Sequence, residues 1–267
     1  MGVTGAVAAL RGAVGFLSRL PVGHTEDGWE AFRRTPAAMP AVGYALGALI
    51  ALPVVGAALS PVRVPAATVA VAFPAWLYLV TGITHLDGVA DAGDAAVVHG
   101  DADRRREVLK DSALGVGGTV ALALVVVALA AGATAVAELA RFSLVGAVLL
   151  VVVAEVGAKA ATATLVCVGD APHEGLGSAL TGASGPGALG WVALVTAPAA
   201  LLGWPTLGPD AVAPSLAVLA AAVVVAALAF AWARARLGGV SGDVLGATNE
   251  LARVVGLHVG VIAWTLS

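Results

Sequence analysis

The 267 residues contain a single cysteine, Cys167, which excludes a disulfide framework and a cysteine-built metal cage. Charge is scarce too: Asp, Glu, Lys and Arg make up 12% of the chain, about half the share expected of a soluble domain. The net charge of -3 gives no electrostatic footprint for nucleic acid. No GxxxxGK[ST] sequence occurs, and no GxGxxG stands between a strand and a helix, so soluble nucleotide-binding folds are unsupported. What the chain has in excess is apolar surface, with 60% AVILMFWYC residues and a mean hydropathy of +0.97. That combination excludes intrinsic disorder and a water-soluble enzyme, and leaves an integral membrane protein.

A helix needs about 20 apolar residues to cross a bilayer. Runs of that kind lie at 41–60, 66–84, 114–137, 144–168, 187–204 and 213–232, with a shorter seventh at 254–267. The first twenty residues carry Arg11 and Arg19, which fits an amphipathic interfacial helix better than a cleavable signal. The expected fold is therefore all-α: one polytopic membrane domain over 1–267, with about six to seven transmembrane helices and an N-terminal interfacial helix. If the spans alternate, eleven Lys and Arg fall on the N-terminal side and two, Arg63 and Arg141, on the other. The positive-inside rule then puts the N-terminus and the connections 85–113, 169–186 and 233–253 in the cytoplasm of a multi-pass cell-membrane protein.

Those three connections hold the chemistry. In 85–95 a helical reading sets Asp87, Asp91 and Asp94 at i, i+4 and i+7, three carboxylates on one face beside an apolar span. Like charges at that spacing oppose the helix, and a divalent cation relieves them; Mg²⁺ takes carboxylate oxygen and substrate phosphate together. His85, just before them, can ligate, donate to phosphate or cap the span. Glu155 and Lys159 sit inside a span, where each costs about 2.5–3.5 kcal/mol at mid-bilayer. Either they pair at i, i+4, or Lys159 faces a polar cavity and holds a phosphate. The second connection offers Asp170, His173 and Glu174. In the third, Gly238, Gly239 and Gly242 allow backbone N–H groups to converge on an anion, and Ser241 and Asp243 can cap a following helix.

Phe16-Leu17-Ser18-Arg19-Leu20-Pro21, His85-Leu86-Asp87-Gly88-x-Ala90-Asp91, Lys110-Asp111-Ser112, Glu174-Gly175-Leu176-Gly177 and Gly238-Gly239-x-Ser241-Gly242-Asp243-x-Leu245-Gly246-Ala247 follow one another in the chain. In this order, on a polytopic background, the sequence resembles the cobalamin synthase family. The resemblance implies a Mg²⁺-dependent phosphotransfer: adenosylcobinamide-GDP is joined to α-ribazole or its 5′-phosphate, and GMP is released. It implies Asp87, Asp91 and Asp94 as the metal site, with Asp243 as an extra ligand. Arg19, Lys110 and the backbone near Gly239 then meet the phosphates, with Ser241 in the same loop. His85, Asp111 and Glu174 are the candidates for a general base. Glu174 or Glu250 is available to accept hydrogen bonds from a guanine edge. Beyond the substrates, the bilayer is the expected partner; a homo-oligomer, or assembly with other cobalamin-pathway proteins, is open. Two other readings compete. A CDP-alcohol phosphotransferase needs an Arg three residues beyond Asp94-Ala95, which is lacking. A small-solute or ion transporter needs ionisable groups deep in several spans and an internal repeat.

Overall fold

The computed structural model describes residues 2–111 and 113–267, and every regular element among them is helical. Helix α1 (Val3–Leu17) and helix α2 (Glu26–Arg33) form a hairpin beside the bundle. Thr25 starts α2 by accepting the Gly28 N–H at 3.1 Å, and Phe16, Trp29 and Phe32 close the hairpin with ring centroids 5.3–6.0 Å apart. Helices α3 (Ala38–Ile50) and α4 (Leu52–Leu59) form one apolar run. Helix α5 (Ala66–Thr81) stops at Gly82, whose φ of +80° is open to glycine at little cost. The chain then turns by 103° into α6 (Thr84–Val97), which crosses the end of the bundle. Helix α7 (Ala102–Leu109), capped by Asp101, lies at the same end. Helices α8 (Val116–Ala140) and α9 (Leu144–Val168) are 25 residues each. A short α10 (Leu176–Thr181) leads to an interrupted stretch holding α11 (Leu189–Thr196) and α12 (Trp204–Leu207). Helices α13 (Val212–Leu237) and α14 (Gly242–Trp264) complete the chain.

The polytopic bundle expected from composition is present. Among the described residues, four helical runs are long and apolar enough to cross a membrane, or five if α5 and α6 count as one bent span. One of the four, Pro186–Leu237, is 52 residues long. A straight helix of that length would measure about 78 Å, far beyond a hydrocarbon core of about 30 Å. It is two limbs. Ser184 reaches the Val166 carbonyl, Gly203 lies against Leu149, and Gly157 lies against Ala222. The chain therefore runs back along α9 from 184 to 203, reverses, and returns alongside α9 as α13.

Several span limits differ from the hydropathy reading. The run 66–84 ends at Thr81, because Gly82 breaks the helix. The run 187–204 is broken by prolines 198 and 205 into short helical pieces. The seventh run begins twelve residues before 254, at Gly242, so Glu250 and Arg253 belong to a helix of 23 residues and not to a loop. Hydropathy missed that start because the charged residues interrupt the apolar pattern.

Helix α9 is the axis, with 78% of its apolar window buried against α3, α13 and α14. Small residues set the spacing: a Cβ placed on Gly47 would lie 2.7 Å from the Val152 Cα, so α3 meets the α9 backbone directly. Gly56, in the continuation α4, has nothing within 4 Å of such a Cβ. Gly47→Leu is therefore expected to destabilise the protein by about 1–3 kcal/mol through overpacking, and Gly56→Leu to leave it unchanged. Thermal unfolding of the two variants in detergent measures the contrast.

Candidate functional site at the acidic end of the bundle

Helix α6 forms where the carboxylate spacing predicts, yet its acids do not act alike. Asp94 faces α8: its two oxygens accept the N–H groups of Gly115 at 2.8 Å and Gly118 at 2.9 Å. It thereby satisfies orphan donors at the α8 N-terminus and lies favourably in that helix's dipole. Asp87 and Asp91 have no such partners. Asp243, in the first turn of α14, is brought beside them because α6 and α14 touch through Gly88, where a Cβ would lie 2.5 Å from the Asp243 carbonyl oxygen. Burial, followed by the charges of Asp243, Asp87 and Asp94, pushes the Asp91 carboxyl up to about 6. No ion pair among the described residues offsets the charges of Asp87, Asp91 or Asp243. Nor, among those residues, do three His, Cys, Asp or Glu side chains stand close enough to make a ready metal cage. The donor set fits a cation held through one or two carboxylates, with water and phosphate completing its shell, which is how Mg²⁺ binds.

Beneath this surface lies a buried ionic cluster. Lys159 donates to Glu155 at 2.9 Å and to the Asn249 side-chain oxygen at 2.8 Å. Arg253 bonds Glu155 at 2.7 Å and Glu250 at 2.5 Å. Tyr78 donates to Glu250 at 3.2 Å. Two anions and two cations, all at most 2% exposed, neutralise one another. Two expectations are corrected here. Lys159 pairs with Glu155 and Asn249, so it does not present a cation to phosphate. Glu250 has its oxygens engaged by Arg253, Asn249 and Tyr78, so it does not read a guanine edge.

His85 joins the cluster to α6. Its Nδ1 lies 3.0 Å from the Asn249 amide nitrogen and 3.6 Å from Glu250. Lys159 holds the Asn249 oxygen, which turns the amide N–H towards His85, so Nδ1 accepts and the ring proton sits on Nε2. Burial holds the imidazole below its usual pKa, in the neutral form. The nitrogen that would take a proton is thus committed inward, which argues against His85 as the general base and makes it a tie between α6 and α14.

The glycine loop is not an anion nest. The N–H groups of Gly238 and Gly239 both return to the Ala233 carbonyl, and Val240 N–H bonds the Asp170 carbonyl at 2.8 Å. A Cβ on Gly239 would lie 2.3 Å from that Asp170 oxygen, so this glycine serves close packing and does not cradle phosphate. Ser241 is buried, caps α14 through the Val244 N–H, and donates to Asp243 at 3.2 Å; its role is to aim the acid. Lys110, Asp111 and Glu174 are exposed at the same end. Asp111 accepts the Ala113 N–H; Ser112 of the Lys-Asp-Ser motif lies outside the described residues. Arg19 is exposed, anchored by its N–H to the Val80 carbonyl at 2.7 Å, and lies along Gly82 just before α6.

Sequence reasoning missed Asn249, Arg253 and Tyr78. A signal was present: Ser241 as a helix cap extends the α14 register through Glu250 to Arg253 at i, i+3, which marks one helix face.

Residues 9–261 match the family described as Cobalamin-5-phosphate synthase. A protein of Halorubrum lacusprofundi named adenosylcobinamide-GDP ribazoletransferase is 62% identical over 97% of this chain and 98% of its own length. One of the same name from Haloquadratum walsbyi is 48% identical over 97% and 99%. Another from Methanococcoides burtonii is 32% identical over 98% and 95%. No solved structure matches.

The division among the acids can be measured. Asp94→Ala is expected to cost about 0.5–2 kcal/mol of stability, as for a lost helix cap. Asp87→Ala removes only repulsion and is expected to leave the melting temperature level or higher. Equal losses in the two variants would contradict these separate roles.

Proposed function

This chain belongs to the cobalamin-5-phosphate synthase family, and we propose that it works as an adenosylcobinamide-GDP ribazoletransferase, a membrane-bound transferase of cobalamin biosynthesis. The observation that carries this reading is the end-to-end match to relatives of that name, up to 62% identical; the acidic residues gathered at one end of the bundle support it. In this reaction a ribose hydroxyl of α-ribazole, or of its 5′-phosphate, attacks the cobinamide-side phosphorus. The new P–O bond forms as the bond to the GMP oxygen breaks, and the hydroxyl proton leaves to a base or water. Such transfer depends on positioning and on neutralising charge.

Asp87 and Asp91 would hold Mg²⁺ through one or two carboxylate oxygens, with Asp243 beside them adding negative charge and Asp94 fixing the far end of α6 against α8. Bound there, the ion would supply charge neutralisation at the diphosphate. Arg19 and Lys110, exposed at the same end, are cations of suitable reach for the phosphates. Asp111 and Glu174, also exposed there, remain the candidates for the proton acceptor, since His85 is turned inward. The long apolar helices support a site at a membrane surface. Arg11, Arg19, Arg104, Arg105, Arg106 and Lys110 belong to segments at the acidic end; Arg63 and Arg141 line one pocket away from it. That asymmetry supports a cell-membrane protein with its acidic end and N-terminus in the cytoplasm.

Membranes containing the protein, given adenosylcobinamide-GDP, α-ribazole and Mg²⁺, are expected to release GMP only when both substrates are present. Release without α-ribazole would point to a hydrolase. Asp87→Asn and Asp91→Asn are each expected to fold and to lower the rate at least about a hundredfold, a loss of about 2.7 kcal/mol of transition-state stabilisation. The Mg²⁺ needed for half-maximal rate should rise in both. It should also rise in the unaltered enzyme as pH falls through about 6, where a proton occupies Asp91. Unchanged Mg²⁺ dependence in both variants would remove the metal assignment.

Orientation has its own check. In a Cys167→Ala background, cysteines at the half-buried Ala102 and at the exposed Glu174 and Arg236 are expected to label from one side of the membrane, and one at the exposed Arg63 from the other.

A further inference from the structure

The hairpin of α1 and α2 encloses a cavity of about 260 Å³ that none of the acidic-end residues explains. Its walls are Phe16, Trp29 and His24, with Arg11 at the side and Gly12 and Gly15 as the floor. That volume falls below the range for drug-sized ligands, so it suits one ring system rather than a whole nucleotide. Aromatic walls favour a planar heterocycle through stacking.

The polar groups narrow the choice. Arg11 is fixed by its Nε, which donates to the Val22 carbonyl at 2.9 Å. Its Nη2 lies over Gly23, where a Cβ would come within 3.1 Å, and so the terminal donors stay at the cavity wall. Among the described residues, no carboxylate lines the space. A guanidinium donates, and guanine offers the adjacent acceptors O6 and N7, whereas adenine sets a donor beside its N7.

Position completes the argument. The cavity shares Gly23 and His24 with a groove of about 540 Å³ that runs past Ser18 and Arg19. Arg19 in turn lies along Gly82, two residues before the start of α6. A ring in the cavity would therefore direct its phosphates past Arg19 towards Asp87 and Asp91.

We propose that the α1–α2 cavity is the guanine subsite for the guanosine-diphosphate arm of the donor substrate. This rests on the reaction proposed above and replaces the reading of Glu250 as the guanine contact.

The test is equilibrium binding of GMP to the full chain in nanodiscs, with AMP and α-ribazole as competitors. Arg11→Gln and Trp29→Leu are each expected to raise the GMP dissociation constant about tenfold or more, the scale of one lost stacking or bidentate contact. AMP is expected to bind about tenfold more weakly than GMP, with Arg11→Gln erasing the difference. The KM for adenosylcobinamide-GDP should rise in step with the GMP constant. Should Trp29→Leu fail to fold, Arg11→Gln decides, because that side chain is exposed. An unchanged GMP constant in Arg11→Gln, or displacement of GMP by α-ribazole, would overturn the subsite. Two-substrate GMP release alongside an unchanged constant rejects the subsite alone. GMP binding that follows Arg11 in a protein with no transfer activity rejects the reaction and leaves the cavity.

Discussion

Four buried charges inside a membrane bundle impose the strictest condition on this fold. Glu155, Lys159, Glu250 and Arg253 are tolerable only as a neutral set with every hydrogen-bonding position filled. The structure meets that condition: among the described residues no buried side-chain nitrogen or oxygen lacks a partner. The set also fixes geometry. Glu155 and Lys159 belong to α9, Glu250 and Arg253 to α14, Tyr78 to α5 and His85 to α6. Satisfying all of them at once leaves one register between these helices. Apolar contacts made of Ala, Val and Gly would not select a register so sharply, because small residues slide past one another with little change in contact.

Helix α6 inherits its place from this cluster. It is tied at one end through His85 and Asn249, and at the other through Asp94 at the start of α8. Between the two ties, Asp87 and Asp91 stand against Asp243 with their charges unbalanced. Repulsion that would fray an isolated helix is borne by the two anchors. This arrangement of carboxylates is thus opposed by its own charge and held by the two anchors, and a bound cation would offset the repulsion. The bend at Gly82 matters for the same reason. A continuous α5–α6 helix would carry three carboxylates away from the bundle, whereas the 103° turn lays them across its end.

The two ends of the molecule differ accordingly. One gathers the acidic helix, the exposed basic residues and the aromatic hairpin cavity; the other shows short loops and two arginines. A reaction between a guanosine-diphosphate conjugate and a ribose suits that division. Under the proposed reaction the charged parts would meet cations and carboxylates at that end, and the long apolar helices suit a protein held in the bilayer.

The sequence by itself determined the class of the protein. Hydropathy and scarce charge demand membrane helices, the three ordered aspartates mark the acidic helix, and the order of motifs marks the family, because each of these is local along the chain. Limits that depend on partners were not legible. The α14 start was hidden because Glu250 and Arg253 look like loop residues until Glu155 and Lys159, about a hundred positions earlier, neutralise them. Only the phosphate readings of Lys159, Gly239 and Ser241 failed. The i, i+4 pairing of Lys159 with Glu155 and the cap formed by Ser241 were legible in the spacing, whereas the Asn249 and Asp170 partners of Lys159 and Gly239 come from other parts of the chain. Asp94 reads like Asp87 and Asp91 in any helical projection. Only the approach of α8 turns it into a cap, since a hydrogen-bond partner brought from another helix leaves no trace in local spacing.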